Sequence, residues 1–299
     1  MGLNKTIVVL GAQGQLGRRL VQQLPALGQV HALSRAQLDL TDLVAVQRCL
    51  ESLRPDVIVN AAAWTAVDAA QAQPESVALI NTALPALLAD MAVRQQAWLV
   101  HYSSDYVYSG QGQRAWCEQD EAKPLSEYGR SKWAGDQAIA QSGAAQLVLR
   151  TSWVYDVHGH NFLRTMLALL QTRSTVQVVA DQVGAPTPAW WLAQITVQML
   201  QQALARPFSS AVARFSGLYH VVPAGQTSWY GFACAIAQLA RDQGVPLAVG
   251  ATGLQPISSA DSITAAPRPL NSRLCTQKLQ HTFGIQPPHW ACLLALPKR

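Results

Sequence analysis

Tyr128 and Lys132 stand four residues apart in Tyr128-Gly129-Arg130-Ser131-Lys132, and on a helix that spacing sets both side chains on one face. A free phenol has a pKa near ~10, too high for ready proton exchange at neutral pH, and a neighbouring ammonium stabilises its phenolate. Such a pair suits a reaction that leaves charge on an oxygen, as addition of hydride to a ketone does. The same spacing also occurs on exposed helices that carry no chemistry. Upstream, His101-Tyr102-Ser103-Ser104-Asp105 ends an apolar run with hydroxyls, and the carboxyl ends of parallel strands are where α/β folds bind ligands. Ser104 is therefore the expected third catalytic residue beside Tyr128 and Lys132.

A second feature is Gly11-Ala12-Gln13-Gly14-Gln15-Leu16-Gly17, which follows the first apolar run and opens a stretch with Leu16, Leu20 and Leu24 at helical spacing. Glycines allow a tight turn and close approach of backbone to a pyrophosphate, and the free N–H groups of a helix N-terminus face the anion. The spacing is GxxGxxG, one residue wider than the GxGxxG of the Rossmann dehydrogenases. A glycine turn of this kind also serves packing alone, but its place before a βαβ alternation favours a dinucleotide. Gly11, Gln13, Gly14, Gln15, Leu16 and Gly17 are the expected cofactor contacts. Where NAD enzymes place a carboxylate, at the end of the second strand, this chain has Ser34-Arg35. A guanidinium there pairs with a 2′-phosphate, so NADPH is expected, with NADH possible; a surface arginine is the plainer alternative.

The elements that must position these residues are legible as an alternation of short apolar runs (6–10, 29–33, 56–60, 98–102, 147–150) with amphipathic stretches. Leu43, Val46, Leu50 and Leu53 recur at helical spacing, as do Val77, Ile80, Leu84, Leu87, Leu88 and Met91. The pattern predicts an α/β protein with a Rossmann-like doubly wound parallel sheet. Beyond Arg150 come a helix near 162–170, an apolar run at 176–179, a proline-bearing segment at 184–188 and a strand at 218–222, then a loop-like tail over 245–273. The expected division is an NADP(H)-binding domain over 1–152 and a mainly substrate-binding, smaller α/β lobe over 153–299, with the strands near 176–179 and 218–222 returning to the main sheet.

The 299 residues are 49% hydrophobic and 13% charged, which fits a large core. Five well-separated cysteines with no CxxC pair fit reduced thiols and a cytoplasmic setting. The apolar run at 7–10 is too short for a signal peptide, and no segment is expected to span a membrane. The net charge of +5 is scattered and not interleaved with aromatics, which argues against nucleic acid and leaves a small anionic ligand or a mildly basic surface.

Together these blocks resemble the extended short-chain dehydrogenase/reductases, and within them the dTDP-4-dehydrorhamnose reductases. Further residues carry the likeness nearly end to end: 54–63 with Thr65-Ala66-Val67-Asp68, 100–108, 150–155, Asn161-Phe162, 181–187, 217–220, Arg268-Pro269 and Asn271-Ser272. The resemblance implies that Ala62, Ala63 and Thr65 line the cofactor, that Asp39 and Leu40 flank its adenine, and that Tyr102 lies near its nicotinamide side; Tyr128 and Lys132 are also expected cofactor contacts, and Lys132 can hold the cofactor ribose. It implies that Ser104, Asp105, Tyr128 and Trp153 touch a sugar, and that Arg268 meets a nucleotide diphosphate. The implied reaction is NADPH-dependent reduction of the C4 ketone of dTDP-4-dehydro-L-rhamnose, with a nucleotide sugar as partner.

Related sugar-nucleotide dehydratases carry Asp-Glu after the hydroxyl residue, whereas here Tyr106 follows Asp105, which disfavours elimination. An epimerase with tightly held NAD, or a cofactor-binding regulatory subunit similar to these reductases, stays open. Some relatives are metal-linked dimers held by glutamates. This chain has Arg18-Arg19 after its glycine loop and ends in Pro297-Lys298-Arg299, so no metal is expected and either a monomer or a homodimer fits.

Overall fold

The computed structural model describes residues 5–262 and 264–297; Lys298 and Arg299 of the basic C-terminus lie outside the described residues. Six strands, β1 (Lys5–Leu10), β2 (Gly28–Leu33), β3 (Val57–Asn60), β4 (Trp98–Ser104), β5 (Ala145–Thr151) and β6 (Gly217–His220), form one sheet in the order β6-β5-β4-β3-β1-β2. Every pairing is parallel. The order reverses at β1, so β1 and β3 diverge to opposite crossovers and leave a crevice at their carboxyl ends.

The apolar runs of β1 and β3 are continuous because both faces of these central strands are covered. Ile7, Val9, Val57 and Val59 enter one core with Leu20, Leu24, Leu192 and Met199. Their neighbours Val8, Leu10 and Ile58 enter the opposite core with Val46, Leu50, Leu84, Leu88, Met91 and Ile139. This is the period-two alternation of a strand. Helices α1 (Gln15–Gln23) and α6 (Ala189–Leu204) supply the first face. Helices α2 (Leu43–Leu53), α3 (Pro74–Gln95) and α4 (Glu127–Gln141) supply the second. Asp42 caps α2 by accepting from Ala45 N at 2.9 Å, and the helix stops where Arg54 turns left-handed at φ 47°.

Contrary to the sequence expectation, one segment does have the length and composition of a membrane span. Helix α3 runs 22 residues and contains an 18-residue stretch with a mean hydropathy of 1.6. Its apolar content faces the sheet: Leu84, Leu88, Ala89, Met91 and Ala92 are buried, while Asp90 and Arg94 form an exposed ion pair.

A smaller core gathers α5 (Phe162–Thr172) and α7 (Trp229–Asp242) around Leu163, Met166, Leu170, Phe232 and Ile236. The expectation that both later strands rejoin the main sheet is half met. Gly217–His220 pairs with β5, but Val176–Val179 pairs in parallel with Leu254–Ile257 in a separate two-stranded sheet. The alternation at 176–179 specifies a half-buried strand and not its partner, and the partner came from the tail read as loop. Helix α6 also packs back against α1, so the stretch from Ala189 to His220 completes the first lobe.

Candidate active site

The carboxyl end of β4 delivers Ser104, whose hydroxyl accepts from Tyr106 N at 3.2 Å and donates to Asp105 Oδ1 at 3.1 Å. That capping turns the chain through a short 3-10 segment, Asp105–Val107. Helix α4 begins against this turn, with Ser126 as its cap accepting from Gly129 N at 3.2 Å. Gly129 packs directly on the Tyr106 carbonyl, where a Cβ would have no room. The close approach brings Tyr128, in the first helical turn, edge-on to Tyr106 at 5.4 Å between ring centres. Burial pushes the Tyr128 phenol up and the Ser104 hydroxyl pulls it down, since a hydrogen bond to the phenolate offsets part of its desolvation.

One turn along α4, Lys132 is 1% exposed. Its Nζ donates to the Tyr102 carbonyl at 2.7 Å and lies 3.1 Å from His101 Nε2. Burial lowers its pKa to about 8, with Asp136 opposing. Asp136 is itself engaged, accepting from Ser103 Oγ at 2.8 Å and Arg150 Nε at 2.9 Å in a buried ion pair. Arg150 continues to the Tyr108 hydroxyl at 2.8 Å, which meets His220 Nε2 at 2.7 Å. A rigid polar spine therefore runs behind the Tyr128–Lys132 pair.

Asn81 belongs to the same frame and escaped the sequence reading. It sits in a π-helical turn of α3, Leu79–Ala83, and is fully buried. Its side chain accepts from Trp64 N at 2.9 Å and donates to Trp64 O at 3.1 Å and Ser131 Oγ at 3.0 Å. It thereby ties the loop after β3 to α4. An apolar-periodic helix interrupted by one Asn is the available signal, and a π turn at a functional site is a recurrent use of such a break.

Asp105 is 2% exposed, and burial against the Ser272 and Ser104 hydroxyls leaves its carboxyl pushed up to about 7. Trp153 adopts a left-handed backbone at φ 50° and stacks on Trp229, ring centres 3.8 Å apart. Gly184 lies beneath them: a Cβ there would meet Trp153 Cε2 at 2.9 Å and Ser272 Cβ at 3.1 Å. Ser272 thus joins Asp105 to the tryptophan wall. Arg268 pairs with Asp68 at 2.7 Å and touches the Tyr106 phenol. Asp68 also accepts from Ala266 N at 3.0 Å, which fastens the 264–275 strap beside Tyr106. Ser104 therefore touches Asp105 and Tyr128, and Tyr106 joins Tyr128 to Arg268; Lys132 stands one turn along α4, and Trp153 lies across Gly184 from Ser272.

Beside them lies a cleft of about 360 Å³ at the crevice between β1 and β3, lined by Gly11, Gly14, Arg35, Asp39, Leu40, Ala62 and Ala63, with Leu33, Leu38, Thr41, Ala61, Trp64 and Ile80. The first seven were expected from sequence; Leu38, Trp64 and Ile80 were not. Gly11 has φ 73°, and a Cβ on it would strike Ala62 N at 2.7 Å. Among the described residues no side chain caps α1, and its first turn holds no acid, so its N–H groups remain for an anion.

Other expected contacts are not among the residues that line this cleft. Gln13 and Thr65 are exposed. Gln15 donates to Val154 O at 3.1 Å, Leu16 packs on the core, and Gly17 gives room to the Gly11 carbonyl. Ser34 donates to Gln37 Oε1 at 2.7 Å. The Tyr102 phenol turns away to Thr196 Oγ1 at 2.7 Å, so only its carbonyl reaches Lys132.

A doubly wound parallel sheet with a glycine turn at its first crossover, and a Tyr–Lys pair set against the end of its fourth strand, is the arrangement of a short-chain dehydrogenase/reductase. Within that class the chain belongs to the RmlD substrate binding domain family, whose model matches residues 5–296. It is 40% identical to a dTDP-4-dehydrorhamnose reductase of Escherichia coli K12 over 95% of this chain and 94% of that protein. It is 41% identical to one of Burkholderia thailandensis over 97% of each. Among solved structures, a dTDP-4-dehydrorhamnose reductase of Bacillus anthracis in complex with NADP superposes with a TM-score of 0.85 at 30% identity, covering 97% of this chain and 96% of that one.

Proposed function

We propose that this chain reduces the C4 ketone of dTDP-4-dehydro-L-rhamnose to dTDP-L-rhamnose, with NADPH as hydride donor. The observation that carries the reading is the Tyr128 phenol held against Ser104, one helical turn from a buried Lys132, beside a cleft built for a dinucleotide. The reductases of Escherichia coli and Burkholderia named above support the substrate, and the NADP complex supports the cofactor.

The residues present fit that cofactor: Gly11 leaves a cradle that a Cβ would fill, α1 offers uncapped N–H groups, and Arg35 stands exposed at the end of β2. Gly11, Gln13, Gly14, Gln15, Leu16 and Gly17 would hold the pyrophosphate, Ser34 and Arg35 the 2′-phosphate, and Asp39 and Leu40 the adenine. Ala62, Ala63, Thr65 and the Tyr102 backbone would hold the rest. When bound, NADPH supplies a hydride to the carbonyl carbon.

The chain's own residues do the remaining work. Tyr128 gives its phenolic proton to the C4 oxygen as charge develops there: its O–H bond breaks and a new O–H forms on the sugar. Ser104 donates to the same oxygen or to the phenolate, and Lys132 stabilises the phenolate. Asp105 and Trp153 orient the sugar, one by hydrogen bonds and the other by a flat apolar wall. Arg268 exchanges part of its pairing with Asp68 for the diphosphate. Residues 1–152, completed by Ala189–His220, form the cofactor domain, and the α5–α7 lobe carries Trp229 behind the sugar. The protein acts as a monomer or homodimer in a reducing compartment, in keeping with its five unpaired thiols.

The test is oxidation of NADPH by purified protein with and without the keto-sugar nucleotide, the product sugar being identified. Turnover is expected only with the sugar present, and Tyr128→Phe is expected to lower kcat by ~100-fold or more without loss of thermal stability. Wild-type turnover in that variant, or recovery of tightly bound NAD with epimerised sugar, would overturn the assignment.

A further inference from the structure

His101 is a polar side chain to which the reaction above gives no task, and it is enclosed on β4 at 1% exposure. Its ring nitrogens face two hydrogen-bond donors. Asn60 Nδ2 lies 3.1 Å from Nδ1, and Lys132 Nζ lies 3.1 Å from Nε2. Burial, reinforced by Lys132, holds the imidazole well below its ordinary pKa, so the ring is neutral and offers one N–H and one lone pair. The Asn60 amide has a fixed sense, because its Oδ1 accepts Ala62 N at 3.2 Å. Asn60 Nδ2 therefore takes the Nδ1 lone pair, and the ring proton resides on Nε2, aimed at Lys132.

An ammonium at Lys132 then sets N–H against N–H in a site closed to water. A neutral amine has no such conflict: its lone pair accepts from His101 Nε2–H while it donates to the Tyr102 carbonyl at 2.7 Å. We propose that His101, oriented by Asn60, is a positioning residue for the reduction that sets the protonation state of Lys132 and through it the charge available to the Tyr128 phenolate.

The groups facing Lys132 are few. Among the described residues, His101 and the Tyr102 carbonyl face it from β4 and Asp136 from α4, with Tyr128 one turn back on the same helix. Among the described residues Asp136 is the one facing charge that favours the ammonium, and Arg150 and Ser103 already bind it. Burial lowers the Lys132 pKa and Asp136 opposes it; the N–H conflict with His101 acts in the same sense as burial. The consequence is a lysine that changes charge in the working pH range instead of remaining a fixed cation, so reduction falls off on the alkaline side as Lys132 loses its proton. This rests on Tyr128 as proton donor.

The decisive measurement is independent of substrate. The chain has five lysines and seven histidines, so selective isotope labelling and NMR titration follow each one, with Lys132→Arg assigning the lysine signal. The expected result is a neutral His101 in the Nε2–H tautomer from roughly pH 6 to 9, and a Lys132 midpoint about two units below that of a free lysine. In His101→Gln the amide can turn its carbonyl toward Nζ. The midpoint should then rise by about half a unit or more, and the alkaline limb of kcat/KM should move up with it. A purely structural His101 would lower kcat without moving either. An Nδ1–H tautomer in the wild-type protein, or an unmoved midpoint in a folded His101→Gln variant, would overturn the proposal. Should that variant not fold, the wild-type tautomer decides alone. Because the tautomer and the Lys132 midpoint need no sugar, they stand or fall separately from the substrate assignment.

Discussion

Replacing Gly129 by alanine adds one methyl group between Tyr128 and Lys132 and tests what places the phenol. That methyl would stand well inside ordinary contact with the Tyr106 carbonyl oxygen, 3.1 Å from its carbon and 3.0 Å from Pro124 Cβ. The carbonyl belongs to the turn capped by Ser104, so it cannot rotate aside without disturbing the hydroxyl opposite Tyr128. The first turn of α4 must instead retreat by about 1 Å to restore van der Waals separation.

Two terms oppose each other in stability. Overpacking costs ~1–3 kcal/mol, and alanine in place of glycine within a helix returns ~1 kcal/mol. The net loss is therefore ~0–2 kcal/mol, a fall in Tm of a few degrees at ~2–4 °C per kcal/mol. Catalysis has no compensating term, because a displacement of ~1 Å from productive geometry costs on the order of 100-fold in rate. Steady-state NADPH oxidation and a circular dichroism melt on the same preparation separate the two. Arg130→Ala is the control: it removes only an exposed pair with Glu127 and should change neither reading appreciably. A Gly129→Ala variant with kcat/KM within about threefold of wild type would refute the idea that the close approach of α4 to Tyr106 places the phenol.

Arg35→Ala should raise the Kd for NADPH by ~10-fold or more while leaving NADH nearly unchanged, as loss of one charge-assisted contact with a 2′-phosphate demands; equal weakening of both, measured by calorimetry, would remove Arg35 from the site. Asp105→Asn tests the raised carboxyl at about 7. Since the folded state binds that proton more tightly than the unfolded chain, ionisation destabilises the fold. The penalty is absent below about pH 4, grows between about 4 and 7, and reaches at most about 4 kcal/mol above that. The asparagine variant should therefore be more stable than wild type in urea melts at about pH 8 and no more stable at about pH 4. A constant difference across that range would contradict the assignment.

What depends on near neighbours was legible in the order of the residues. Ile7-Val8-Val9-Leu10, short, β-branched and followed at once by glycine, reads as a strand buried on both faces, the glycines at 11, 14 and 17 suit a tight turn into a helix, and residues 128 and 132 share a face on any helix. Those local facts carried the fold class, Gly11, Gly14 and Arg35 of the cleft and the Tyr128–Lys132 pair, and the family resemblance added Asp39, Leu40, Ala62 and Ala63. Tertiary structure decided the rest, because partners distant in the chain are chosen by packing and not by spacing. Asp68 meets Arg268 across 200 positions, and Trp153 takes its strained backbone in company with Trp229 and Gly184. Val176–Val179 finds Leu254–Ile257 instead of the main sheet. Asn81 and His101 read in sequence as polar interruptions of apolar runs. Only where α3, β3, β4 and α4 converge does each acquire the buried partners that make it part of the site, since a polar group taken out of water must find its hydrogen bonds in whatever the fold brings beside it.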